Sequence, residues 1–151
     1  MLPINTILCP TDFSEDSFEG LKNANELAVH FSAELILLHV VSSLPSIPGS
    51  NSPTGFHIPA VLEEVEASTR DQIKKLQKKY ISSNIKSMGI VVIGDPPAEV
   101  VKRAADNNVD VIVMSTHGQS GWKQLMCGSV TEKVVRTAEC PVLTIRGLEE
   151  K

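Results

Sequence analysis

The chain has 151 residues, with 14 Lys and Arg against 18 Asp and Glu and a net charge of −4. That balance excludes the basic footprint that nucleic acid or an anionic membrane surface demands. A chain this long buries about two-thirds of the surface it exposes when unfolded, so a core forms without disulfides or metal, and the three cysteines, without any Cys-x-x-Cys spacing, suggest neither.

No apolar run approaches the ~20 residues of a membrane span, and the N-terminus lacks a basic segment followed by an apolar signal core. The expectation is a cytoplasmic protein made of one domain over residues 1–151. Ile4–Cys9 reads as a first strand stopped by Pro10, with Thr11-Asp12 as the turn. Ser14 then caps a helix whose first turn carries Glu15 and Asp16, and whose apolar face holds Phe18, Leu21, Ala24, Ala28 and Phe31. Leu35–Val41 is a second strand, parallel to the first because a helix intervenes.

Ser42–Pro59, with four prolines and two glycines, reads as a flexible loop, either a tolerated insertion or a lid over the neighbouring strand ends. Ala60–Tyr80 is an amphipathic helix. Its Lys74, Lys75, Lys78 and Lys79 lie largely on the solvated side, with no aromatic interleaving to suggest single-stranded nucleic acid. Ile90–Ile93 is the third strand; Asp95 is the N-cap and Pro96 the first position of a helix running to about Asn107-Asn108. Val109–Met114 is the fourth strand, Ser129–Ala138 a helix, and Pro141–Ile145 the fifth strand.

Between the fourth strand and the last helix lies a loop with Gly118 and Gly121. A strand, a glycine loop and a helix start together offer unpartnered backbone N–H groups, the positive end of a helix dipole and room for a close approach, which suits a phosphate. Neither Gly-x-x-x-x-Gly-Lys-Ser/Thr nor Gly-x-Gly-x-x-Gly occurs. The spacing Ser115-x-x-Gly118, nine residues, Gly128-Ser129 instead resembles the Gly-x-x-Gly-x9-Gly-Ser/Thr signature of the ATP-binding branch of the universal stress protein family. Ile7–Ser14, Leu37–Val40 and Cys140–Leu143 are similar to that family's first, second and last strand segments, so the resemblance covers nearly the whole chain. Ser115 stands where the first glycine is expected.

The resemblance implies a Rossmann-like α/β fold: an open parallel five-stranded sheet of order 3-2-1-4-5 with helices on both faces. In that order the first and fourth strands are neighbours whose connections leave in opposite directions, opening a crevice at their C-terminal ends. Pro10, Thr11 and Asp12 would face it from one side and Ser115 and Gly118 from the other. Expected roles follow. The N–H groups of Gly128, Ser129 and Val130, with the Ser129 hydroxyl, hold the β- and γ-phosphates of ATP (or the phosphates of ADP or AMP). Gly118 lets the chain approach them. Asp12 meets ribose hydroxyls or a Mg²⁺ ion held mainly by the phosphates, with a capping or turn role as the alternative, and Val40 and Met114 enclose adenine, with plain core packing as theirs. Ser115 either crowds the ligand or donates one more hydrogen bond. His117 and Lys123 could reach a phosphate, with a solvated role as the alternative; His39 reads as a satisfied core residue.

The functional expectation is a nucleotide-dependent regulatory module of the stress response. Two alternatives stay open: a nucleotide-free dimeric scaffold, and a slow ATP hydrolase, for which no general-base constellation is evident. A homodimer is expected through the edge strand 141–145, as in relatives.

Overall fold

The computed structural model describes residues 2–42, 58–117 and 128–147. Strands and helices alternate along them: β1 (Thr6–Pro10), α1 (Glu15–Phe31), β2 (Glu34–Ser42), α2 (Ile58–Tyr80), β3 (Ser87–Gly94), α3 (Pro96–Asp106), β4 (Val111–Ser115), α4 (Ser129–Thr137) and β5 (Val142–Ile145). All paired strands are parallel, in the order β3-β2-β1-β4-β5. This is the order the resemblance implied. Of the stretch expected as a loop, Ser42–Pro59, Ser42 closes β2 and Ile58 and Pro59 belong to α2; residues 43–57 lie outside the described residues.

The central strands are apolar without interruption because both of their faces are covered. Ile7, Cys9, Leu35, Leu37, Val111 and Val113 pack with Leu21, Ala24 and Ala28 of α1 and Ile73 of α2. Their alternating neighbours Leu8, Ile36, Leu38, Ile112 and Met114 pack on the opposite face with Val100 and Ala104 of α3 and Val134 of α4. Each fully buried Leu or Ile contributes about 1.5–3 kcal/mol relative to exposure, so the two half-cores hold α1 and α2 to one face and α3 and α4 to the other.

Helix starts follow the expected chemistry. The Ser14 hydroxyl accepts from the Ser17 N–H, with Glu15 and Asp16 in the first turn, and the Asp95 carboxylate accepts from the Ala98 N–H at 3.4 Å ahead of Pro96.

Pro10 ends the strand as expected, though the two neighbouring ladders respond differently. It is the last residue of β1, and the ladder to β2 continues one residue further, where Thr11 N–H donates to Leu38 O at 2.8 Å. N–H direction alternates along a strand, so if Thr11 faces β2 then Pro10 faces β4. The missing donor of Pro10 therefore falls on the β4 side. There the pairing covers Ile7 with Val111 and Leu8 with Ile112 and ends. Proline thus ends one ladder and spares the other, and β1 and β4 part at their C-terminal ends.

Candidate functional site

A cleft of about 440 Å³ opens where β1 and β4 part, within the range of about 300–1,000 Å³ usual for small-molecule sites. Of the expected site residues, Pro10, Thr11, Asp12, Val40, Met114, Ser115, Gly128, Ser129 and Val130 all line it. Gly118 lies outside the described residues. Turns separated by a hundred positions in sequence are thus brought to one cavity, on the α3 and α4 side of the sheet.

The β1–α1 turn is built from short polar side chains. Asp12 Oδ1 accepts from both the N–H and the hydroxyl of Ser14, closing an Asx-type turn. Thr11 Oγ1 accepts from Phe13 N–H at 3.1 Å and lies 2.9 Å from the Ser17 hydroxyl. Ser17 donates its own proton to Ser14 O at 2.8 Å, so the proton between the two hydroxyls comes from Thr11. Phe13 is held at φ 63°, a conformation uncommon for an aromatic residue, with its ring 4.5 Å from that of His39. His39 Nδ1–H donates to Thr11 O at 2.7 Å, which makes His39 the satisfied residue that was expected and fixes the turn against the end of β2.

The opposite wall is the junction of β4 and α4. Thr131 Oγ1–H donates to Ser115 O at 2.9 Å, and Gly128 N–H donates to Thr116 O at 2.7 Å. Gly128 is the N-cap of α4, and the second bond holds its amide, one of those expected to meet phosphate, against the end of β4. The first bond of α4 is Glu132 N–H to Gly128 O, which leaves the N–H groups of Ser129, Val130 and Thr131 without partners among the described residues. Ser115 is buried, and its hydroxyl donates to His117 O at 2.7 Å.

Chemically the cleft has two halves. Val40 and Met114 project from β2 and β4 onto the same face of the sheet and supply an apolar shelf with Val100 of α3. Ser129 and Val130 supply amides at the positive end of α4. The ionisable side chains among the described lining residues are Asp12, His39 and His117, and none of the described lining residues is Lys or Arg. No group of three or more His, Cys, Asp or Glu that could hold a metal occurs among the described residues.

Pro96, Val100, Ser17 and Thr131 also line the cleft and were not anticipated. Thr131 carried a signal: it lies three residues before Val134 on the buried face of α4, and a threonine in an apolar stripe calls for a hydrogen-bond partner. Pro96 and Val100 reach the cleft through the packing of α3 over β2, for which sequence spacing has no signal.

The universal stress protein family model matches residues 3–146 of the 151. The chain belongs to the universal stress protein family. Among its relatives, universal stress protein MJ0577 of Methanocaldococcus jannaschii is 31% identical over 151 residues, 93% of each chain. Universal stress protein YxiE of Bacillus subtilis is 31% identical over 146 residues, covering 94% of this chain and 99% of that one. The solved structure of MJ0577 superposes with a TM-score of 0.77 at 30% identity, over 97% of this chain and 99% of that chain. A universal stress protein solved in complex with cAMP shares the fold at 22% identity and a TM-score of 0.61, over 95% and 97% of the two chains. Against the family signature, this universal stress protein keeps Gly128-Ser129 and departs at Ser115. No helix among its described residues is long and apolar enough to cross a membrane.

Proposed function

We propose that the cleft between β1 and β4 is an adenine-nucleotide site and that the protein is a nucleotide-dependent regulatory module of the stress response. The observation that carries this reading is the pair of N–H groups of Ser129 and Val130, unpartnered among the described residues, beside the apolar shelf of Val40 and Met114. An amide-lined anion end next to an apolar slot matches the two halves of a nucleotide. The cAMP complex noted above adds that a member of this fold accepts an adenine nucleotide.

In this reading the base lies on Val40 and Met114, the ribose lies near the Pro10–Asp12 turn, and the phosphates of ATP, ADP or AMP extend to Ser129 and Val130. Any Mg²⁺ is held mainly by the phosphates. A binding role is favoured over turnover because the described lining holds no Glu, Lys or Arg to activate water or stabilise a transferring phosphoryl group. Nucleotide occupancy would alter the β4–α4 junction, and with it the adjoining edge strand β5, through which a two-fold homodimer is proposed.

The test is direct. Freshly purified protein is denatured and the released small molecules are identified, and ATP is then titrated calorimetrically into emptied protein. Released adenine nucleotide or saturable ATP binding is expected. Protein that carries none and shows no heat with millimolar ATP or ADP would leave the nucleotide-free scaffold as the better account. Turnover faster than about one per second would favour an enzyme instead.

A further inference from the structure

We propose that Ser115 is a positioning residue for His117, and that the His117 imidazole contacts the phosphates of the bound nucleotide. This inference rests on the adenine-nucleotide reading above. Ser115 is 9% exposed, and its hydroxyl donates to the His117 carbonyl at 2.7 Å. A glycine, the residue the family signature has here, could make no such bond.

Between them Thr116 is held on three sides. Its N–H donates to Ile145 O at 2.9 Å, its carbonyl accepts from Gly128 N–H at 2.7 Å, and its hydroxyl lies 2.9 Å from His117 Nδ1. His117 is therefore fixed by its carbonyl through Ser115 and by its ring through Thr116, and it lines the same cleft as Ser129 and Val130. The Thr116 hydroxyl can give its proton to Nδ1, and in that arrangement the ring's own proton is carried on Nε2. An Nε2–H donor is what a phosphate oxygen accepts. The need for one is plain, because the described lining offers a phosphate chain no Lys or Arg and a helix end contributes only modestly. The serine that departs from the signature thus secures a further donor beside the Ser129 and Val130 amides.

The experiment measures the affinities of ATP and adenosine for wild type, Ser115→Ala, Ser115→Gly, His117→Ala and the double variant Ser115→Ala/His117→Ala, with thermal unfolding as a check on folding. Each single variant should bind ATP about tenfold more weakly, the size of one charge-assisted hydrogen bond, and adenosine within about twofold of wild type. The double variant should lose no more than His117→Ala alone. In wild type, the His117 ring resonances should shift with ATP and stay in place with adenosine, a readout that needs no variant. Ser115→Gly binding ATP as tightly as wild type, losses that multiply in the double variant, or ring resonances indifferent to ATP would each overturn the inference while nucleotide binding stands. Wild type that binds neither adenosine nor ATP would overturn the nucleotide reading and this inference together.

Discussion

Gly128 N–H and Thr116 O meet at 2.7 Å, and this bond brings the start of α4 back to the end of β4. It engages the Gly128 amide, while those of Ser129 and Val130, which also line the cleft, have no partner among the described residues. A methyl group at Gly128 would meet Thr116 O at 3.3 Å, and the backbone there, φ −56° and ψ 153°, is open to any residue. Gly128→Ala should therefore lose about 1 kcal/mol of stability through the weaker N-cap and keep ATP affinity within about threefold. Calorimetry showing that Gly128→Ala abolishes binding would mean that the ligand approaches the backbone there too closely to admit a Cβ.

Ser129→Pro is the sharper probe. Proline is well tolerated at the first helical position, and Gly128 already has the extended ψ that a residue before proline requires. The substitution deletes the Ser129 N–H and hydroxyl, whereas Ser129→Ala deletes the hydroxyl alone. Expected is an ATP affinity about tenfold below that of Ser129→Ala, with thermal midpoints close to each other. Equal affinities of the two variants would mean that the Ser129 amide does not touch the ligand.

The placement of β4 depends on Gly20. A Cβ at this position of α1 would lie 3.2 Å from Ser115 N, a backbone atom with little freedom to yield. In an exposed helix Gly→Ala gains about 1 kcal/mol, but overpacking costs about 1–3 kcal/mol. Gly20→Ala should be destabilising by roughly 0–2 kcal/mol on balance, measured by urea unfolding, and should weaken ATP binding by displacing Ser115. A stabilised variant would show that α1 can shift freely on the sheet.

Burial pushes the Cys9 thiol up to about 12 from its ordinary value of 9.0, while Cys140 is half-buried and raised less completely by the same desolvation. In the native state Cys9 should react with a thiol reagent only as fast as the protein unfolds, well after Cys140. The folded pKa is the higher one, so the contribution of Cys9 is fully present below pH 9 and is lost as pH rises from about 9 toward 12. Stability should fall by up to ~1.4 kcal/mol per pH unit in that window from this group, and Cys9→Ala should flatten that part of the profile.

Leu143 of β5 is 41% exposed and Val135 of the adjoining α4 is 50% exposed, at an edge strand that carries no charge. An apolar edge of this kind is normally paired or protected. Sedimentation of wild type at micromolar concentration should show a dimer, and Leu143→Lys should convert it to a monomer that remains folded. A monomeric wild type would remove the proposed dimer.

The elements were legible because their signals are local. Ser14 and Asp95 announce helix starts through side chains that reach three residues ahead, and the unbroken apolar runs of β1 and β4 announce burial on both faces. Strand order and the crevice came from the spacing shared with a family, which places Asp12 and Ser129 at one site although a hundred residues separate them. The partners of individual atoms were not legible. Whether Gly128 N–H meets a ligand or Thr116 O, and whether the Ser115 hydroxyl meets a ligand or His117 O, depends on ångström-scale distances between segments. The amino-acid order alone determined the alternation of helix and strand, since periodicity and capping act within a few residues. Only the tertiary structure decided which polar groups at the strand ends satisfy one another and which are left facing the cleft, because hydrogen bonding is short-ranged and exclusive and is allotted when distant parts of the chain come into contact.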